Sequence, residues 1–136
     1  MRRWLLVASL GLALCACQVP ADRSALPPLP EKVTPVPYAE LLTRLRAQAQ
    51  QANEAFFVDR WAELEEIAKG LELTARYLAR AEDVPVKHKD TLTVAAGDLG
   101  KEAVRLREAA QAKSVKRANT ALQRLHLKIR DLRLGS

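Results

Sequence analysis

Residues 114–132 read SVKRANTALQRLHLKIRDL, and the spacing of their apolar members decides the fold. Val115, Ala118, Leu122, Leu125, Ile129 and Leu132 follow one another at steps of three, four, three, four and three. Such steps return to one side of a 3.6-residue helix, whereas a half-buried strand needs alternation at every second residue. Ser114 stands where an N-cap hydroxyl would satisfy one of the free amides of the first turn.

The same rhythm recurs three times upstream. Tyr38, Leu42, Leu45, Ala49, Ala52 and Phe56 form one stripe, and Pro37 suits the first turn of that helix. Trp61, Leu64, Ala68, Leu71, Ala75 and Leu78 form a second, for which Asp59 is the expected N-cap. The pattern breaks near Pro85, because proline and the residue before it disfavour helix. Leu92, Ala96, Leu99, Ala103, Leu106 and Ala110 complete the set. Four apolar stripes on short connections predict an all-α domain over residues 38–134, an antiparallel up-down-up-down four-helix bundle. A long coiled-coil hairpin that dimerises is the competing architecture on this periodicity. Alanine is common at the inward positions, so the helices should approach closely and leave little room for a large cavity. Gly70, Gly97 and Gly100 fall inside helical patterns and are expected to mark such approaches.

The opening MRRWLLVASLGLALCAC has Arg2 and Arg3 before an apolar run from Trp4 to Ala16. That run is too short for a helix crossing a bilayer, which takes about 20 apolar residues, and reads as a secretory signal over residues 1–16. Leu14-Cys15-Ala16-Cys17 resembles a bacterial lipobox, with a branched apolar residue at −3 and a small one at −1. The resemblance implies that Cys17 becomes the first mature residue and carries the lipid; Cys15 fits less well, having Leu14 before it. Gln18 is not the Asp that retains lipoproteins at an inner membrane. The implied address is the cell envelope, at an outer membrane facing the periplasm in a two-membrane host. Residues 17–37 then read as a lipidated cysteine and a linker whose prolines hold it extended. At about 3.1 Å per residue, twenty such residues reach roughly 60 Å.

Cleavage leaves a single cysteine, so the mature chain has no internal disulfide framework. The net charge of +6 falls to +4 once Arg2 and Arg3 leave, too mild a surplus to argue for nucleic acid. The charge is unevenly spread. Lys113, Lys116, Arg117, Arg124, Lys128, Arg130 and Arg133 face only Asp131 along the last helix, while acids lead from Asp59 to Asp83. Two accounts follow: the basic and acidic helices attract one another at the edges of their seam, or the basic face meets anionic headgroups or an acidic envelope protein.

Conventional catalytic constellations are missing. The sequence has no Gly-rich phosphate loop, no His-Glu-x-x-His and no Gly-x-Ser-x-Gly, and it reads as a non-enzyme. Its carboxylates sit at ion-pair spacing, such as Glu65 with Lys69 and Glu72 with Arg76. Of the two histidines, His88 lies in a polar stretch and is expected at the solvated surface. His126 lies on the shoulder of the last apolar stripe.

Around His126 the chain resembles the cytochrome c′ family and the b-type cytochromes that share its four-helix bundle. In cytochromes c′ the last helix carries Cys-x-x-Cys-His, then an aromatic and an Arg. Here Leu122 and Leu125 take the cysteine positions, His126 the axial ligand's, Ile129 the aromatic's and Arg130 the arginine's. Trp61-x-x-Leu64 with Ala68, Leu71, Ala75 and Leu78 is similar to that family's early helix, and only His126 and Arg130 are specific. Leucines in place of thiols exclude thioether attachment, and the sole Met1 leaves with the signal. The resemblance therefore implies a non-covalent haem held through its iron by His126 alone, with Arg130 against a propionate, serving electron transfer or small-gas binding. The alternative is that Leu122 and Leu125 fill the haem slot with ordinary core. The protein is then a haem-free interaction or structural lipoprotein of the envelope, acting through its basic last helix.

Overall fold

A computed structural model describes residues 27–133. The helices are α1 (Tyr38–Phe57), α2 (Trp61–Leu78), the single turn α3 (Val86–Lys89), α4 (Leu92–Gln111) and α5 (Val115–Asp131). Among the described residues no strand forms, and the only β-type pairing is an isolated bridge between Pro37 and Glu82. The all-α reading holds. α1 packs on α2, α2 on α4, α4 on α5, and α5 returns to α1.

The core follows the stripes. Leu42, Leu45, Leu64, Leu71, Leu99, Leu106 and Leu125 are buried, joined by the inward alanines. At about 25 cal/mol per Å² of apolar surface removed from water, this continuous cluster is the main stabilising term. Val115 departs from its stripe: at the first position of α5 it is 59% exposed. Alanine sets the spacing between α2 and α4, where a Cβ on Gly100 would stand 3.7 Å from that of Ala75. Gly70 also marks a close approach, since a Cβ there would come within 3.1 Å of Gln48 Nε2. Gly97 does not, because it faces open space.

Local chemistry corrects several expectations. Ser114 caps α5 as expected, its hydroxyl accepting from the Arg117 amide at 3.4 Å. Asp59 does not cap α2. It sits at φ 56° just past the end of α1, where the Asp59 amide donates to the Phe56 carbonyl and the Arg60 amide to that of Ala55. That is a Schellman ending, whose left-handed position usually holds Gly. Lys113, at φ 50°, ends α4 in the same way, with the Lys113 amide on Ala110 and the Ser114 amide on Ala109. Pro37 precedes α1 as its N-cap rather than standing in its first turn. Pro85 does more than break the pattern: it opens α3.

The largest difference concerns the linker. Its described part, residues 27–37, lies against the helices. Leu29, Val33 and Val36 pack on the core. The Tyr77 hydroxyl is shared between the carbonyls of Pro30 (2.6 Å) and Lys32 (3.0 Å), and Arg44 Nη1 donates to that of Pro27 (2.8 Å). The Glu82 amide donates to Val36, and the Tyr38 amide donates back to Glu82. Proline removes a donor but keeps its carbonyl, and in these contacts residues 27–36 act only as backbone acceptors. The strap starts beside Arg44 and runs back to the start of α1. The leader expected over residues 1–16, Cys17 and residues 18–26 lie outside the described residues.

Candidate interaction surface

The basic last helix finds its acids on α4. Asp98, Glu102 and Glu108 face Lys128 (3.8 Å), Arg124 (3.9 Å) and Arg117 (3.6 Å). The acids of α2 are engaged elsewhere. Glu65 meets Lys69 (3.4 Å) as expected, but Glu72 pairs across the seam with Arg107 of α4 (2.6 Å) instead of with Arg76. Gln111 of α4 donates to Glu65 and is the chief reason its carboxyl sits below the ordinary range; burial opposes it and Lys69 adds to it. The seam-edge attraction is therefore real, with a different partner: α5 packs on α4 and α1.

Between α4 and α5 lies an open cleft of about 400 Å³, edged by Arg105, Lys116, Arg117 and Arg124. At its base Glu102 is only 4% exposed. One carboxylate oxygen holds Arg105, and the other has no hydrogen-bond partner among the described residues. Lys113 and Lys116 have no ion pair among the described residues. Lys113 closes α4, and Lys116 stands in the first turn of α5, which carries no acid. The free amides of a helix start are the positive end of its dipole, so a lysine there adds to a local positive potential. A second open groove, about 340 Å³, runs between α1 and α2 beside the strap, lined by Leu29, Arg44, Gln48 and Ile67 among others.

The histidines fall differently from expectation. His88 is half-buried: its ring stacks on Tyr38 with centroids 6.0 Å apart, and Nε2 lies 3.2 Å from the Arg133 carbonyl. His126 is exposed, with Nε2 2.7 Å from Asn53 Nδ2 of α1. One residue adds about 100° of turn, so with Leu125 fully buried the next side chain rotates out of the core. Leu122 is 3% exposed, and the exposed Arg130 pairs with Asp131 at 3.5 Å. Among the described residues, each of five cavities is lined by residues other than these four. These residues do not fit a haem held inside the helices: the imidazole points outward and leucines occupy the space beneath it. Among the described residues there is also no group of three or more His, Cys, Asp or Glu side chains placed to hold a metal ion.

The chain matches no family model, no curated protein and no solved structure. Among the described residues no helix is long and apolar enough to cross a membrane.

Proposed function

We propose that this protein is an exported, lipid-anchored interaction protein of the cell envelope. In this reading an antiparallel up-down-up-down four-helix bundle, acylated at Cys17, presents the start of α5 to an anionic surface. One observation carries it: Lys113 and Lys116 have no acidic partner among the described residues, while α4 matches Arg117, Arg124 and Lys128. Lys116, in the first turn of α5, stands at the positive end of that helix dipole and weakens the fold slightly, and an external anion turns that cost into binding. Neutralising both in Lys113→Gln/Lys116→Gln should reduce binding to anionic vesicles or acidic envelope proteins and flatten its salt dependence. Unchanged binding would defeat the reading.

Acylation is tested separately, by the mass of the mature N-terminus. Growth with haem available supplies a further check on the haem-free form of the proposal. A Soret band that vanishes in His126→Ala would replace it with the haem protein.

A further inference from the structure

The turn joining α1 to α2 exposes more apolar surface than a short polar connection requires. Phe57 is 79% exposed and Val58 58%. They flank a small aromatic cluster in which Phe56 packs edge-on against Phe57 (5.7 Å) and Trp61 (6.0 Å). The α4–α5 turn stands beside it, since Lys113 lines the same shallow cavity as Asp59, Arg60 and Trp61. That second turn adds exposed Val115. An exposed ring beside a lysine matches the interfacial region of a bilayer, where aromatic side chains sit among headgroups and cations meet phosphates. Glu63 pairs with Arg60 at 3.3 Å, so Lys113 and Lys116 are left for headgroup phosphates while Phe57 and Val58 supply the apolar part of the attraction.

The strap points to which membrane covers this turn. Its first described residue, Pro27, lies beside Arg44, where the chain is folded back along α1 in the direction of Phe57. From Arg44 to Phe57 the helix rises about 20 Å at 1.5 Å per residue. Nine residues, 18–26, separate Pro27 from Cys17. At about 3.1 Å each they span up to about 28 Å, enough to bring an acyl chain on Cys17 level with the aromatic turn. The opposite end exposes Val86 and Val94 but no aromatic ring, since Tyr38 is buried there and His88 half-covers it.

We infer that the Phe57–Val58 turn seats in the phospholipid bilayer that holds the Cys17 lipid, so that the protein lies with this end down on its own membrane. The inference rests on the proposed acylation of Cys17. It converts one acyl anchor into a two-point attachment that fixes orientation.

The full acylated chain in phosphatidylethanolamine–phosphatidylglycerol vesicles tests it. With Trp61→Phe as background, a tryptophan placed by Phe57→Trp or by Val86→Trp reports alone, because Trp4 leaves with the leader. Lipids brominated along the acyl chain should quench the Phe57→Trp protein several-fold more than the Val86→Trp protein. Equal quenching, stronger quenching at Val86→Trp, or none at either overturns the inference. Should the mature N-terminus prove to carry no acyl group, the anchor reading falls by itself. The turn is then judged by flotation of the unacylated mature chain with the same vesicles. Loss of flotation in Phe57→Ser/Val58→Ser supports it, and absent or unchanged flotation overturns it.

Discussion

The two ends of the helices are built on opposite plans. Where α1 starts and α5 stops, buried hydrogen bonds stitch distant parts of the chain together. The Tyr38 hydroxyl donates to the Leu132 carbonyl at 2.5 Å, the Tyr38 amide donates to Glu82, and His88 closes over the ring. The strap adds Tyr77 and Arg44 to this network. At the other end, α1 and α4 stop in turns that force Asp59 and Lys113 into left-handed backbone, and Phe57 stands in solvent. The first end spends its polar groups on itself. Left-handed backbone occurs at both ends, since Asp83 of the stitched end stands at φ 53°; the difference is the aromatic side chain that the second end leaves in solvent, the pattern of a surface kept for something outside the chain.

The largest effect should come from the stitched end. Tyr38→Phe leaves the buried Leu132 carbonyl without its donor and should cost about 1–3 kcal/mol in denaturant unfolding. It should also change the alkaline limb. Burial raises the Tyr38 phenol above its ordinary 10.0, against a smaller lowering by Arg46. A group whose folded value is raised contributes stability that is complete below pH 10.0 and is lost as the pH climbs through the folded value. Tyr38→Phe should therefore flatten the loss of stability above that pH, and an unaltered limb would contradict the assignment.

Tyr77→Phe comes next, at about 1 kcal/mol, because it removes the donor that two strap carbonyls share. Its distinctive readout is local: amide exchange over residues 31–36 should accelerate far more than exchange in α4. Uniform acceleration would mean that the strap and the helices form one cooperative unit.

How far the sequence anticipated these two ends follows from the kind of interaction at each. Helix stripes were legible because periodicity reports burial directly, and Leu122, Leu125 and Ile129 lie where it puts them. The strap was not, because its hydrogen bonds use backbone carbonyls, which every residue type possesses. Prolines spelled extension but not whether the extended chain touches anything. Asp59 was misread since Asp serves both as an N-cap and as a residue tolerant of left-handed backbone, and only the path of the turn separates the two. The partner of α5 depended on packing order: α5 contacts α4 and α1, so the acids of α2 lie out of its reach. His126 shows the limit of a motif, because a shoulder position leaves inward and outward rotation open until Leu125 is placed.

At the exposed end the expected effects are smaller and one has the opposite sign. Lys113→Gly relieves the left-handed position at the end of α4. It should stabilise the protein by about 0.5–1 kcal/mol, the relief of a Cβ at positive φ exceeding the added freedom of the unfolded chain. It also removes one of the two lysines without an ion pair at this end, so anionic binding should weaken while the melting temperature rises. A variant that gains stability and keeps full binding would confine the docking surface to Lys116 and its neighbours.

Phe57→Ser should leave the unfolding free energy within about 0.5 kcal/mol of the parent, as for other exposed positions. The ring is mostly in solvent and its contact is the edge-on approach to Phe56, so little apolar burial is lost with it. This near-zero value separates the two ends most sharply. If Phe57→Ser destabilised the fold as Tyr38→Phe does, the ring would be structural and its exposure incidental. A stability-neutral substitution that nevertheless releases the aromatic turn from the bilayer assigns that ring to the membrane contact alone. Measuring unfolding and bilayer quenching on the same variant decides between these outcomes, because the fold and the membrane contact make opposite demands on one side chain.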